Sequence, residues 1–114
     1  MTAYAHCKPG SLSMEDLLAV HLTELGLHFE RQYVYAPGRR FRADFAVWGP
    51  GMQAFALIEV QGGTFTRGAH GSVTGILKDN ARLYAAFRAG WHVLRFTPQQ
   101  VETGEAKRMI EEAL

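Results

Sequence analysis

Two apolar, strand-like runs in the middle of the chain each contain one carboxylate, and they constrain the fold more than any other feature. Asp44 lies between Ala43 and Phe45, and Glu59 lies in the run at residues 58–63. A buried charge costs several kcal/mol unless it is paired or bound to a metal. The two runs fit neighbouring strands of one sheet, and we expect that Asp44 and Glu59 can there converge on one cation.

Length and composition fit a single domain that spans residues 1–114. Of the 114 residues, 47% are hydrophobic, enough for one core. The lone cysteine, Cys7, excludes an internal disulfide and a Cys-based zinc site, and suits a reducing compartment. No window approaches the roughly 18 apolar residues of a membrane span, and the first ten residues lack a signal-peptide core. We therefore expect a soluble, cytoplasmic domain with no membrane partner.

Hydrophobic spacing predicts the element order α-β-β-β-α-β-α. The first helix is expected at about residues 13–25, with Ser13 at its start and Gly26 at its stop. A hairpin and a third strand follow at residues 29–47 and 54–61. A helix up to Gly90, a strand at residues 91–96 and a closing helix that Gly104 can interrupt complete the order. The apolar residues that keep helical spacing in the second helix are Val73, Ile76, Leu77, Leu83, Tyr84 and Phe87.

This order, together with three acids and one amide at set positions, resembles the PD-(D/E)XK nuclease superfamily over nearly the whole chain. Glu15 lies at the edge of the apolar face of the first helix, Asp44 is on the second strand, and Glu59 stands two residues before Gln61 on the third. The phrases at residues 39–46, 58–63 and 90–97, with His70, look like a branch of small phage and bacterial endonuclease-like proteins. Archaeal Holliday-junction resolvases and VRR-NUC domains are similar more distantly.

The resemblance implies a restriction-endonuclease-like core, which is an α/β fold with a mixed four-stranded sheet flanked by helices. It also implies a Mg²⁺-dependent endodeoxyribonuclease, acting as a homodimer and leaving 5′-phosphate ends. The metal would be held by Asp44, Glu59 and the backbone carbonyl of Val60, with Glu15 joining directly or through water. Oxygen ligands of this kind suit Mg²⁺, for which Mn²⁺ is expected to substitute. Such a metal activates a water and stabilises the leaving oxygen.

Alternatives to these roles exist for each acid. Asp44 and Glu59 can instead form structural ion pairs with Arg42 or Arg95, and Glu15 can be ordinary helix surface. A catalytically silent DNA-binding or assembly protein with the nuclease fold is the alternative function, since fold does not imply activity.

Gln61 departs from the family pattern, which has a lysine at this position. A glutamine carries no charge, although it can orient a water. Variants of the fold move the cation to a nearby helix, so Lys78 and Arg82 are the candidates here. Helical spacing places both away from the apolar face of their helix, which argues against a catalytic role.

Basic residues are concentrated between Arg31 and Arg95, where nine Lys and Arg stand against three acids. Such a tract raises the affinity for phosphate, although solvated surface arginines are the alternative. The pattern suits contacts to the DNA backbone without base readout, and the preferred substrate, whether branched, single-stranded or ordinary duplex DNA, or RNA, is left open. Gly62-Gly63 lacks a Walker lysine, so no nucleotide cofactor is expected. The predicted DNA-binding residues are Arg39, Arg40, Arg42, Arg67, His70, Lys78 and Arg82.

Overall fold

The structure of the protein is a computed structural model that describes residues 12–61 and 73–114. Arg67 and His70 therefore lie outside the described residues. Two short 3-10 turns, Pro37–Arg39 and Pro50–Met52, join the first three strands. The described helices and strands are α1 (Met14–Glu24), β1 (His28–Ala36), β2 (Phe41–Trp48), β3 (Ala54–Val60), α2 (Val73–Arg88), β4 (His92–Phe96), α3 (Pro98–Glu102) and α4 (Glu105–Ala113).

Local signals in the sequence set the helix ends. The Ser13 hydroxyl accepts a hydrogen bond from the Asp16 backbone N–H at 3.0 Å, as an N-cap does, and Gly26 follows α1 with a φ of +74°. Gly104, with a φ of +85°, separates α3 from α4. The predicted first helix and the interruption of the closing helix are therefore confirmed.

The four strands form one sheet in the order β1-β2-β3-β4. β1 pairs with β2, and β2 with β3, in antiparallel fashion, whereas β3 and β4 are parallel. A parallel pair needs a crossover connection, and α2 lies in that crossover. The predicted α/β class, with a mixed four-stranded sheet and flanking helices, is confirmed.

Helices cover both faces of the sheet, and each face has its own apolar cluster. On one face, Phe45 and Ile58 pack with Leu18 of α1 and Ile110 of α4, and all four are fully buried. The opposite face carries a smaller cluster that includes Leu57, its β2 partner Ala46, and Ala86 of α2. Because side chains alternate along a strand, neighbouring residues of β2 and β3 serve different clusters. No helix among the described residues has the length and apolar character needed to cross a membrane.

The helix α2 is present as predicted, but its apolar residues do not form its buried face. Only small side chains, Ala85 and Ala86, pack against the sheet cluster from this helix. Arg82 lies on the same side, where it contacts the sheet. The exposed apolar residues of α2 are Val73 (73%), Ile76 (48%), Leu77 (62%), Leu83 (37%), Tyr84 (61%) and Phe87 (75%).

Candidate functional site

Asp44 and Glu59 lie at the same level on neighbouring strands. The residue pairs of β2 and β3 run from Trp48↔Ala54 to Phe45↔Ile58, and Asp44 and Glu59 each stand one residue beyond that last pair. Leu57 packs in the cluster under α2, so alternation along β3 directs the Glu59 carboxylate to the face that α2 covers. On β2 the alternation changes at Asp44, because Ala43 packs in the cluster under α2 and Phe45 in the cluster under α1.

Asp44 supports the strand end through a backbone contact. Its Oδ2 accepts a hydrogen bond from the Val60 N–H at 2.8 Å. If the β2–β3 register continued, that N–H would pair with the backbone of Ala43. The carboxylate therefore satisfies a backbone donor just past the last strand pair, in the manner of a charge-assisted hydrogen bond.

Glu59 is held between two guanidinium groups. Its Oε2 accepts from Arg82 Nη2 at 2.8 Å, and its Oε1 accepts from Arg95 Nε at 3.2 Å. Arg95 is the register partner of Glu59 on β4. The exposed side-chain fraction is 21% for Glu59, 31% for Arg82 and 29% for Arg95, so the three charges are partly withdrawn from water.

The contacts continue from Arg95 and Arg82 into α2 and β2. Arg95 donates to both carboxylate oxygens of Asp79, at 3.3 and 2.6 Å, and this pairing raises the pKa of Arg95. Arg82 also donates to the Arg42 carbonyl at 2.9 Å. We call Glu59, Asp79, Arg82 and Arg95 the Glu59 network. Its two acids and two bases tie α2 to the sheet and balance each other in charge.

This network was only partly visible in the sequence. The ion pair of Glu59 with Arg95, weighed there as an alternative to metal binding, is present, and it follows from the alternation of β4. Asp79 was not foreseen. Arg82 lies opposite the apolar residues of α2, as its helical position predicted, but that side faces the sheet, so Arg82 reaches Glu59. Its helical position therefore no longer argues against a role beside Glu59. Lys78 is exposed on the same helix.

Glu15 contacts β1 in the described structure. Its Oε1 accepts from Gln32 Nε2 at 3.4 Å and lies 3.7 Å from Arg31 Nη2. Arg31 also donates to Asp16 at 3.0 Å, which lowers the pKa of Asp16. The Arg31 guanidinium carbon is 5.4 Å from the centre of the Phe45 ring, on the face that α1 covers. These contacts connect Glu15 to β1 rather than to Glu59, and its part in metal binding stays a prediction.

The acids and the nearby carbonyl fit a hard cation by chemical type. Asp44 and Glu59 offer carboxylate oxygens and Val60 a backbone carbonyl, which suit Mg²⁺ or Mn²⁺ when waters complete the coordination. Within residues 12–61 and 73–114, no three His, Cys, Asp or Glu side chains are grouped to hold a metal. Both oxygens of Glu59 contact arginines. A cation bound by Glu59 would therefore share these oxygens with the two guanidinium groups or displace one of them.

The other predicted residues are three arginines near the β1–β2 turn and Gln61, which follows β3. Arg39, Arg40 and Arg42 are exposed at the β1–β2 turn and the start of β2. A shallow groove beside them is lined by Arg39 and Arg88 together with Tyr84. Arg88 was not among the predicted residues. The Gln61 backbone N–H donates to the Phe96 carbonyl at 2.9 Å, which continues the parallel pairing past β3.

Comparison of the chain with family models, with curated proteins and with solved structures gives no match. The chemistry of the site therefore has to be argued from its residues. These are two carboxylates at adjacent strand positions, with the guanidinium groups of Arg82 and Arg95 beside one of them.

Proposed function

We propose that the protein is a metal-dependent endonuclease that hydrolyses phosphodiester bonds of DNA, with a restriction-endonuclease-like fold of the PD-(D/E)XK type. One observation carries the proposal: Asp44 and Glu59 stand at the same level of adjacent strands, just past the last β2–β3 pair. Arginines exposed at the neighbouring turn suit a polyanionic substrate. Mg²⁺ is the proposed cofactor, and Mn²⁺ is expected to replace it.

Asp44, Glu59 and the Val60 carbonyl would hold the cation, and Glu15 would join directly or through water. When bound, the cation supplies an activated water and stabilises the leaving oxygen. Gln61 would orient a water through its amide, which both donates and accepts hydrogen bonds.

Arg82 is the proposed replacement for the lysine that the family pattern has at position 61. Its guanidinium is 2.8 Å from Glu59 and is supplied by a helix rather than by the strand. An arginine released from Glu59 can bind a phosphate in bidentate fashion, as a lysine cannot.

Further basic residues would contact the DNA backbone and position it without reading its sequence. Preference for branched or four-way-junction DNA is the finer part of the proposal. The proposed backbone contacts are Arg39, Arg40, Arg42 and Lys78, with Arg67 and His70 from outside the described residues.

The protein is further proposed to act as a cytoplasmic homodimer, with no nucleotide cofactor. Closed twofold symmetry is the commonest arrangement of oligomers and suits paired cuts on two strands.

A catalytically silent DNA-binding or assembly protein is the second candidate. The observation that favours it is the pairing of both Glu59 oxygens with arginines, combined with glutamine at position 61. In that case the Glu59 network is a structural ion-pair cluster, and fold alone does not supply activity.

Cleavage of labelled DNA separates the two candidates. Linear duplex, single-stranded, flap and four-way-junction substrates are incubated with Mg²⁺, Mn²⁺ or chelator. Wild type is compared with Asp44→Asn, Glu59→Gln and the remote exposed control Glu111→Gln. Metal-dependent cutting that is lost in the first two variants and kept in the control supports the nuclease. No cutting of any substrate, with DNA binding equal in all four proteins, supports the silent binder.

The role of Arg82 is tested with Lys78 as the matched position on the same helix. We expect Arg82→Gln to lose cleavage while most DNA binding remains, because Arg82 would act on the reacting phosphate. Lys78→Gln should keep the cleavage rate at saturating DNA and lower the salt dependence of binding by about one phosphate contact. Equal loss of cleavage in both variants would contradict the assignment of Arg82.

A further inference from the structure

An apolar stripe runs along the exposed side of α2. Its six apolar residues, with Asn80 between them, follow spacings of three and four, so they lie on one side of the helix. Asn80 is the polar residue at the middle of this stripe, and it is exposed. We call this surface, with Asn80 included, the α2 stripe. Its apolar members are Val73, Ile76, Leu77, Leu83, Tyr84 and Phe87.

The α2 stripe is as large as the largest apolar patches that monomeric proteins expose. The exposed fractions of its apolar residues range from 37% for Leu83 to 75% for Phe87. With about 200 Å² for an aromatic side chain and about 100 Å² for an aliphatic one, they leave on the order of 500 Å² of apolar surface exposed. The largest patch on a typical monomer is about 300–600 Å² and often serves a function, whereas each partner in a stable interface buries about 800 Å² in total, polar rim included. The stripe is therefore large enough for the apolar centre of an interface.

The sequence of the stripe is complementary to itself when the helix direction is reversed. If two copies of α2 pack antiparallel with Asn80 opposite Asn80, each of the six apolar stripe residues meets an apolar stripe residue of the partner. A twofold interface requires this self-complementarity, because residue i must contact j and j must contact i. The pairs are Val73 with Phe87, Ile76 with Tyr84, and Leu77 with Leu83.

Asn80 suits the position on the axis. A side chain there faces its own copy, and an amide can both donate and accept, whereas two carboxylates or two ammonium groups would repel. A single asparagine in an apolar helix seam also fixes register and oligomeric state. The α2 stripe carries no formal charge.

From these observations we propose that the α2 stripe is a homodimer interface, in which α2 of two copies packs antiparallel about a twofold axis at Asn80. This interface specifies how the proposed homodimer forms, and its biological role rests on the proposed function. Arg82 and Asp79 lie on the sheet-facing side of α2, so the interface leaves the Glu59 network in place. Association is measured without DNA or metal, so the dimer and the nuclease can fail separately.

Sedimentation equilibrium of the full chain tests the interface. We expect a dimer for wild type and a dissociation constant raised tenfold or more by Leu77→Glu or Phe87→Glu, because each buries a charge in an apolar seam. Met52→Glu is the matched control, since Met52 is 58% exposed and lies outside α2. Circular dichroism and thermal unfolding verify that all variants fold. A monomeric wild type, or a dimer unchanged by both α2 substitutions, would overturn the proposal.

Disulfide crosslinking tests the position of the axis. In a Cys7→Ser background, Asn80→Cys should give a covalent dimer on mild oxidation, because a residue on the axis meets its own copy within bonding distance. Lys78→Cys, on the same helix but off the stripe, should form no covalent dimer under the same conditions. Equal crosslinking at both positions would contradict an axis at Asn80.

Discussion

Removal of the Glu59 charge should lower the free energy of unfolding. Whether this free energy falls or rises shows whether attraction to the arginines or repulsion from Asp44 dominates at Glu59. In Glu59→Gln the two guanidinium groups lose the carboxylate that lies 2.8 Å from Arg82 and 3.2 Å from Arg95. If repulsion between Glu59 and Asp44 dominated instead, neutralisation would stabilise the fold. The ion pairs of the Glu59 network predict that Glu59→Gln destabilises the fold.

The expected size follows from burial and from the contacts that remain. Loss of one partner from a fully buried ion pair costs about 3–5 kcal/mol. Here the exposed side-chain fractions lie between 21% and 31%, and Arg95 keeps Asp79 while Arg82 keeps the Arg42 carbonyl. We therefore expect a loss of about 1–2 kcal/mol in the free energy of unfolding, between the values for exposed and buried pairs.

Urea unfolding in the presence of chelator, followed by circular dichroism, measures this loss. Asp44→Asn is the comparison variant, because an amide oxygen can still accept the hydrogen bond from the Val60 N–H. A Glu59→Gln protein as stable as wild type, or more stable, would refute the reasoning. A double-mutant cycle with Arg82→Met should give a coupling energy of about 1 kcal/mol, since the two groups are in direct contact. No coupling would show that the ion pair does not hold α2 to the sheet.

Three further predictions concern the stability of the fold around the site. Ser13→Ala should lower the free energy of unfolding by about 1 kcal/mol, because the Asp16 N–H loses its N-cap acceptor; Ser13→Asn, which can still cap, should stay close to wild type in urea unfolding. Burial lowers the pKa of His21 from its ordinary value of 6.5, so the unfolded chain binds this proton more readily. The contribution of His21 to stability is then intact above pH 6.5 and declines below it, and a His21→Leu protein measured by unfolding across this range should lose that part of the acid sensitivity; an unchanged profile would contradict the assignment. Phe45→Ala should cost about 3–5 kcal/mol in the same assay, because the ring is fully buried under α1, and a cost below about 1 kcal/mol would refute the described packing.

Most of the secondary structure could be predicted from local chemistry. The start of α1 depends on one hydroxyl, Ser13, and its end on Gly26, and both features are local in the chain. The two runs that contain Asp44 and Glu59 were predicted to be neighbouring strands of one sheet, and β2 and β3 are neighbours. Apolar, β-prone runs between turn residues are local in the chain, so they can be found without knowledge of the fold.

The rotation of α2 could not be predicted in the same way. This helix has an apolar stripe and a face of small residues, and hydrophobic spacing favours burial of the stripe. The sheet face beneath it is already filled by aromatic rings: Trp48 and Trp91 have centroids 5.3 Å apart, and Tyr33 contacts both. Only small side chains such as Ala86 fit closely against these rings. The contact of Arg82 with Glu59 depends on this rotation, so it could not be predicted from the sequence either.

The contact between α1 and α4 has a consequence for the order of folding. Lys107 pairs with Glu24 across 83 residues of chain, and Ile110 completes the cluster around Leu18. The antiparallel strands β1 to β3 are neighbours in sequence, so their pairing closes only short loops. During synthesis, those strands can pair early and cover part of the apolar side of α1, whereas the rest of that side stays uncovered until α4 has left the ribosome. We therefore expect substitutions at Ile110 mainly to accelerate unfolding and substitutions in the β1–β2 hairpin to slow folding.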